Sequence, residues 1–151
     1  MRAVIQRVQG AQMTIEHSEV RAIGQGLTVF LGVMKGDTEQ QADFLAEKIR
    51  ELRIFTDENG KMNLSLMDIS GELLVVSNFT LSTDCKKGRR PSFDTAAPPE
   101  EARRLYNRFV EQAKASGVKK VETGEFGAHM DVLVNNDGPV TIIIDTEKIG
   151  K

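Results

Sequence analysis

The sequence predicts an α+β fold: one domain, built on a strongly curved, barrel-like, largely antiparallel sheet with two main helices packed on it. Three observations lead there. Short apolar runs, parted by turn residues, fill both ends of the chain. Two longer segments repeat their apolar residues at the helical period. The strand-like runs outnumber the helical ones, and their hairpin-type links imply antiparallel pairing. A chain of 151 residues, 40% apolar and 28% charged, has the size and mixture of a single globular domain.

The elements follow in order. RAVIQRV, AQMTIEH, EVRAIG and LTVFLGV read as short strands of a meander, with Gly10, Gly24 and Gly26 among the residues between them. Leu27 to Val33 is nearly all apolar, as a strand covered on both faces would be. The period then changes. Thr38 and Gln41 match a capping box, and Ala42, Leu45, Ile49 and Leu52 form one apolar stripe, so 38–53 is predicted helical. Asn59-Gly60 between short runs predicts a hairpin turn. ELLVVSNFT predicts a second buried strand, and 81–97 a polar loop. Pro98 and Pro99, then Glu100 and Glu101, open a second helix that Gly117 closes; its inner face is Ala102, Leu105, Tyr106, Phe109, Val110 and Ala113. VKKVETG, AHMDVLVN and PVTIIID read as the last strands. Gly138-Pro139 stands at the mouth of the final one, either as the turn that launches it or as a backbone feature that handles a ligand.

Composition excludes several classes. The longest apolar runs, LLVV and VTIII, are far short of the ~20 residues of a membrane span. The N-terminus lacks a signal-peptide pattern, so the cytoplasm is expected. The lone cysteine, Cys85, has no internal disulfide partner. A net charge of −2 gives no global attraction to nucleic acid. A local basic cluster in DCKKGRR, with Lys86, Lys87, Arg89 and Arg90, is either a solvated loop or a phosphate contact.

Few catalytic constellations are present. The two histidines, His17 and His129, lie far apart in sequence, and no His/Cys/Asp group has zinc spacing, so no metal is expected and no cofactor. There is no phosphate loop, and Ser77 is not in a nucleophile elbow. Cys85 has lysines beside it but no assignable base, and reads first as a bystander thiol. Ser77 and Thr80, at the end of a buried strand, either line a pocket or satisfy nearby backbone.

Several of these segments together resemble the D-aminoacyl-tRNA deacylases. SNFTL at 77–81 is similar to that family's SQFTL motif, and NDGPVT at 136–141 to its Gly-cisPro motif. GKMN, RPSF and GEFGAHM follow the family order, and the likeness runs from Met1 to about Asp145, leaving the tail TEKIGK outside it. Where the family motif carries glutamine, this chain has Asn78, the same amide one methylene shorter. The resemblance implies a homodimer that hydrolyses the ester of D-aminoacyl-tRNA, and of glycine mischarged onto alanine tRNA. It also implies that Gly138 and Pro139 of one subunit face Ser77, Phe79 and Thr80 of the other, with Asn78 and Met130 near the substrate.

An aminoacyl ester is labile, and no convincing base lies beside Thr80 in the sequence. The expected route is therefore attack by water assisted by the tRNA 2′-hydroxyl, with backbone N–H groups near Phe79 and Thr80 holding the oxyanion. Two other readings stand beside this one: a nucleic-acid-binding dimer without catalysis, and hydrolysis of a small ester or amide by Cys85 or Thr80 alone.

Overall fold

Strand β1 runs unbroken from Arg2 to Ile15 in the computed structural model, which describes residues 1–86 and 88–151. The sequence reading divides this stretch in two at Gly10. Strand β8, Met130–Asp145, pairs with β1 along nearly its whole length, and the register shifts around Val8 and Gly10 take up the irregularity. The extra residue flips the alternation of β1. Ala3 and Ile5 face one core cluster, whereas Ala11, Met13 and Ile15 face the other.

Between these strands the chain forms β2 (Glu19–Ile23), β3 (Gly26–Gly32), α1 (Glu39–Glu51), β4 (Phe55–Thr56), β5 (Met62–Leu64), β6 (Glu72–Ser77), α2 (Pro99–Ala115) and β7 (Lys120–Thr123). β1 pairs antiparallel with β2, β3 and β8. β3–β6 and β6–β7 are parallel, because α1 and α2 carry the chain across between them. Arg21 donates to the Thr123 carbonyl at 2.6 Å, drawing β2 to β7 and nearly closing the barrel. The predicted fold class therefore holds: a curved, largely antiparallel sheet with two helices in one domain, now with two parallel pairs.

Both helices start where the sequence places them. Thr38 and Gln41 form the expected capping box, and Pro99 opens α2 with Glu100 and Glu101 in its first turn. The six predicted inner residues of α2 are all buried. Arg108 grips Asp43 with two bonds of 2.7 and 2.8 Å, joining the helices and holding that carboxyl below its usual range.

Tyr106 ties α2 to β6. Its hydroxyl donates to the Val75 carbonyl at 2.9 Å, and burial pushes the phenol well above its ordinary range, so it remains a donor. Tyr106→Phe is expected to cost about 1 kcal/mol, read as a lower urea midpoint at unchanged slope. An unchanged midpoint would contradict that role.

Candidate active site

The segment after β6 departs from the extended strand expected through Thr80. The strand ends at Ser77, and Phe79–Ser82 form a single 3₁₀ turn. Packing causes the change. Gly32 lies under the turn, where a Cβ would stand 2.9 Å from Leu81 Cβ and 3.1 Å from the Asn78 carbonyl. Ser82 is buried and donates to the Phe79 carbonyl at 2.7 Å, while Arg2 donates to the Leu81 carbonyl at 2.5 Å.

The side chains of this turn point to a surface. Phe79 is 59% exposed, uncommon for a phenylalanine, and touches Phe93 of RPSF edge-on at 5.2 Å between ring centroids. The Thr80 hydroxyl donates to Asn78 Oδ1 at 2.5 Å. These two side chains meet through that bond, within the turn and not along an extended strand. Among the described residues the backbone N–H groups of Phe79 and Thr80 have no partner, as expected at the start of a helical turn. The turn therefore presents an aromatic ring, an amide, a hydroxyl and two free donors together.

Gly138 and Pro139 do not launch a separate strand. They lie within β8, in a bulge where residues 137–140 face Arg7 alone: the pairing steps from Val8↔Asn136 to Gln6↔Thr141. Pro139 is tolerated there because a bulge needs no ladder donor. The Gly138-Pro139 peptide bond is cis, Gly138 has φ +122°, and both residues are exposed. The Asn136 side chain accepts from Val140 N–H at 3.1 Å and closes the bulge.

Arg7 holds this corner from below and was not picked out in the sequence. It is 8% exposed, its Nη1 donates to the Ile54 carbonyl at 2.7 Å, and its Nε stands 3.1 Å from Asp137 Oδ2 as an ion pair outside hydrogen-bonding angle. The available signal is an arginine at the inward parity of Ala3 and Ile5.

The two halves of the expected site do not meet within one protomer. Ser77 pairs with Leu31, Leu31 with Ala3, and Ala3 with Ile144, whereas the corner faces Arg7. A step of four positions along β1 separates them, about 13 Å along the strand. Met130 sits elsewhere again. Its Sδ occupies the space beside Gly124, among side chains that include Met13 and Val76.

The basic cluster is exposed at Lys86, Arg89 and Arg90; Lys87 lies outside the described residues. An open cavity beside the 3₁₀ turn is lined by charges of both signs, Arg2, Lys35, Lys86 and Lys148 with Asp84, Asp94 and Glu147. Both histidines lie near the Ile15 end of β1, away from the Arg2 end that holds Thr80, and neither is a base for Thr80 or Cys85 within a protomer.

The comparisons decide the lineage. The model of the D-Tyr-tRNA(Tyr) deacylase family matches residues 4–145. The chain belongs to this family. A D-aminoacyl-tRNA deacylase of Thermosipho africanus (strain TCF52B) is 58% identical over 149 residues, covering 99% of each chain. Among solved structures, the c-Myc DNA Unwinding Element Binding Protein superposes with a TM-score of 0.90 at 42% identity, over 96% of this chain and 98% of that one. A structure titled as a probable eukaryotic D-amino acid tRNA deacylase gives 0.82 at 16% identity, over 95% and 97%, a likeness of fold alone. The deacylase family thus covers the 3₁₀ turn, the basic loop and the β8 bulge in one match.

Proposed function

We propose that this deacylase hydrolyses the ester between a D-amino acid and the 3′ end of tRNA in the cytoplasm, as a translational proofreading enzyme working as a homodimer. The observation that carries the dimeric arrangement is the separation of the two half-sites. The Phe79–Thr80 turn and the Gly138-Pro139 corner are both exposed, yet lie apart along β1. A second protomer supplies the missing half of each site: Gly138 and Pro139 of one subunit face Ser77, Phe79 and Thr80 of the other, with Asn78 and Met130 bordering the substrate.

Chirality then follows from geometry. The corner offers carbonyl oxygens for the α-ammonium and has no long side chain that swings aside. With the ammonium and ester fixed, an L side chain points into the corner and a D side chain away from it, so L-residues are rejected sterically. Backbone contacts do not read side-chain identity, so many D-residues pass. Glycine has no Cβ to clash, so glycine on alanine tRNA passes too.

Water, positioned by the terminal ribose 2′-hydroxyl, attacks the ester. The free N–H groups of Phe79 and Thr80 hold the developing oxyanion. Lys86, Lys87, Arg89 and Arg90 receive the tRNA phosphates. No metal or cofactor enters this route.

The Thr80 hydroxyl proton is directed to an amide oxygen, not to a base. Thr80→Ala is therefore expected to slow single-turnover deacylation by about tenfold, the worth of one hydrogen bond. Abolition, with an acyl-threonine trapped on the native protein, would replace this mechanism with a covalent one.

A second reading, nucleic-acid binding without catalysis, is favoured by the name of the first solved relative. One experiment separates the two. Purified protein is incubated with glycyl-tRNA made on alanine tRNA, and its mass is measured by light scattering. The enzyme account expects release of glycine by a species of twice the 16.7 kDa chain mass. Binding of that tRNA with the ester left intact would favour the second reading.

A further inference from the structure

Strand topology brings together three metal-ligating side chains that the sequence keeps far apart. His17 lies in the turn between β1 and β2; His129 and Asp131 lie at the entry to β8. Their donor atoms all fall within 4.8 Å of one another. The imidazole rings of His17 and His129 are 4.8 Å apart by centroid, and His17 Nδ1 is 3.7 Å from Asp131 Oδ2. Strand alternation sends His129 and Asp131 to one face of β8 and Met130 to the other.

The main chain sets this arrangement from both sides. Glu16 N–H donates to the His129 carbonyl at 3.0 Å, and the Glu16 carboxylate accepts from His129 N–H at 2.8 Å. Glu16 and His17 both have left-handed backbone, with φ of 47° and 60°, in a turn closed by Ser18 N–H on the Ile15 carbonyl at 3.0 Å. Asparagine and glycine occupy such positions at least cost. A histidine held there, facing a second histidine and a carboxylate with no other cation on Asp131 among the described residues, has the composition of a transition-metal site.

We propose that His17, His129 and Asp131 form a divalent transition-metal site, with Zn²⁺ as the ion and water completing its coordination. Ligand bonds of about 2.0–2.1 Å place tetrahedral donors about 3.4 Å apart. The His17–Asp131 spacing is already near that value. The widest separation closes by rotation of side chains that are 75% and 63% exposed at His17 and Asp131. The ion staples the β1–β2 turn to the entry of β8, on the face opposite Met130. The inference stands independently of the deacylase mechanism, since it uses none of the residues assigned to it.

Zn²⁺ titration by calorimetry tests this, in a Cys85→Ser background that removes the exposed thiol as a competing ligand. The expected result is one Zn²⁺ per chain with micromolar affinity, unaffected by excess Mg²⁺, and a Tm raised by saturating Zn²⁺. His17→Asn keeps a residue suited to left-handed backbone, and His129→Gln and Asp131→Asn keep polar volume. Each should weaken binding by more than about tenfold while circular dichroism stays native. Absence of binding at millimolar Zn²⁺, or binding indifferent to all three substitutions, would overturn the proposal.

Discussion

Gly138→Ala is expected to lower kcat/KM for D-tyrosyl-tRNA by about 100-fold, or about 2.7 kcal/mol of transition-state stabilisation, in a protein that still folds. At φ +122° an L side chain is strained whatever room it has. Here it has little. The added Cβ would stand 2.9 Å from Val140 Cγ2 and 3.1 Å from both Arg7 Nη2 and the Val140 nitrogen. Val140 is buried in the core, and Arg7 is fixed by the Ile54 carbonyl and Asp137, so neither yields easily. The corner itself must shift, and a displacement of about 1 Å at a positioning element has an effect of this size. Steady-state kinetics on D-tyrosyl-tRNA, with circular dichroism as the control, gives the answer. Unaltered kinetics would remove the corner from the reaction.

Gly26→Ala is expected to act on the fold instead. A Cβ at Gly26 would lie 1.8 Å from the Glu72 carbonyl oxygen and 2.6 Å from the Glu72 nitrogen, both main-chain atoms of the paired strand. Relief requires parting β3 from β6, where Glu72 N–H donates to the Gln25 carbonyl at 2.9 Å. The expected cost is about 3 kcal/mol or more, with Tm falling by about 10 °C. Calorimetry measures it. A Tm equal to that of the native chain would mean that the close approach of β3 to β6 is not needed.

Much of this fold is local, and that part is legible in the sequence. Thr38 with Gln41 marks the start of α1, Pro99 with two glutamates marks α2, and Asn59-Gly60 marks the hairpin, where Gly60 takes φ +74°. The burial of both faces of β3, with Phe30 alone partly open among Leu27–Leu31, and of Leu73–Val76 is also readable from nearly unbroken apolar runs. Such runs signal the parallel pairs as well, since parallel strands are buried on both faces. The remainder depends on partners distant in sequence. β8 continues across Gly138-Pro139 because β1 runs unbroken opposite it, and no propensity at Pro139 reports that. The 3₁₀ turn at Phe79 answers to Gly32, Leu81 and Arg2, and the pairing of Arg7 with Asp137 and of His17 with His129 closes over more than a hundred residues. The separation of the half-sites follows from strand register, which alternation alone does not set between remote strands.

The central claim is that an exposed main-chain corner on one subunit selects the hand of the amino acid bound by the other. The direct measurement is the initial rate of deacylation of D-tyrosyl-tRNA against L-tyrosyl-tRNA, at equal concentration, with the purified native protein. The account predicts rapid release from the D substrate and a rate on the L substrate no faster than spontaneous hydrolysis. Equal rates on the two would contradict it.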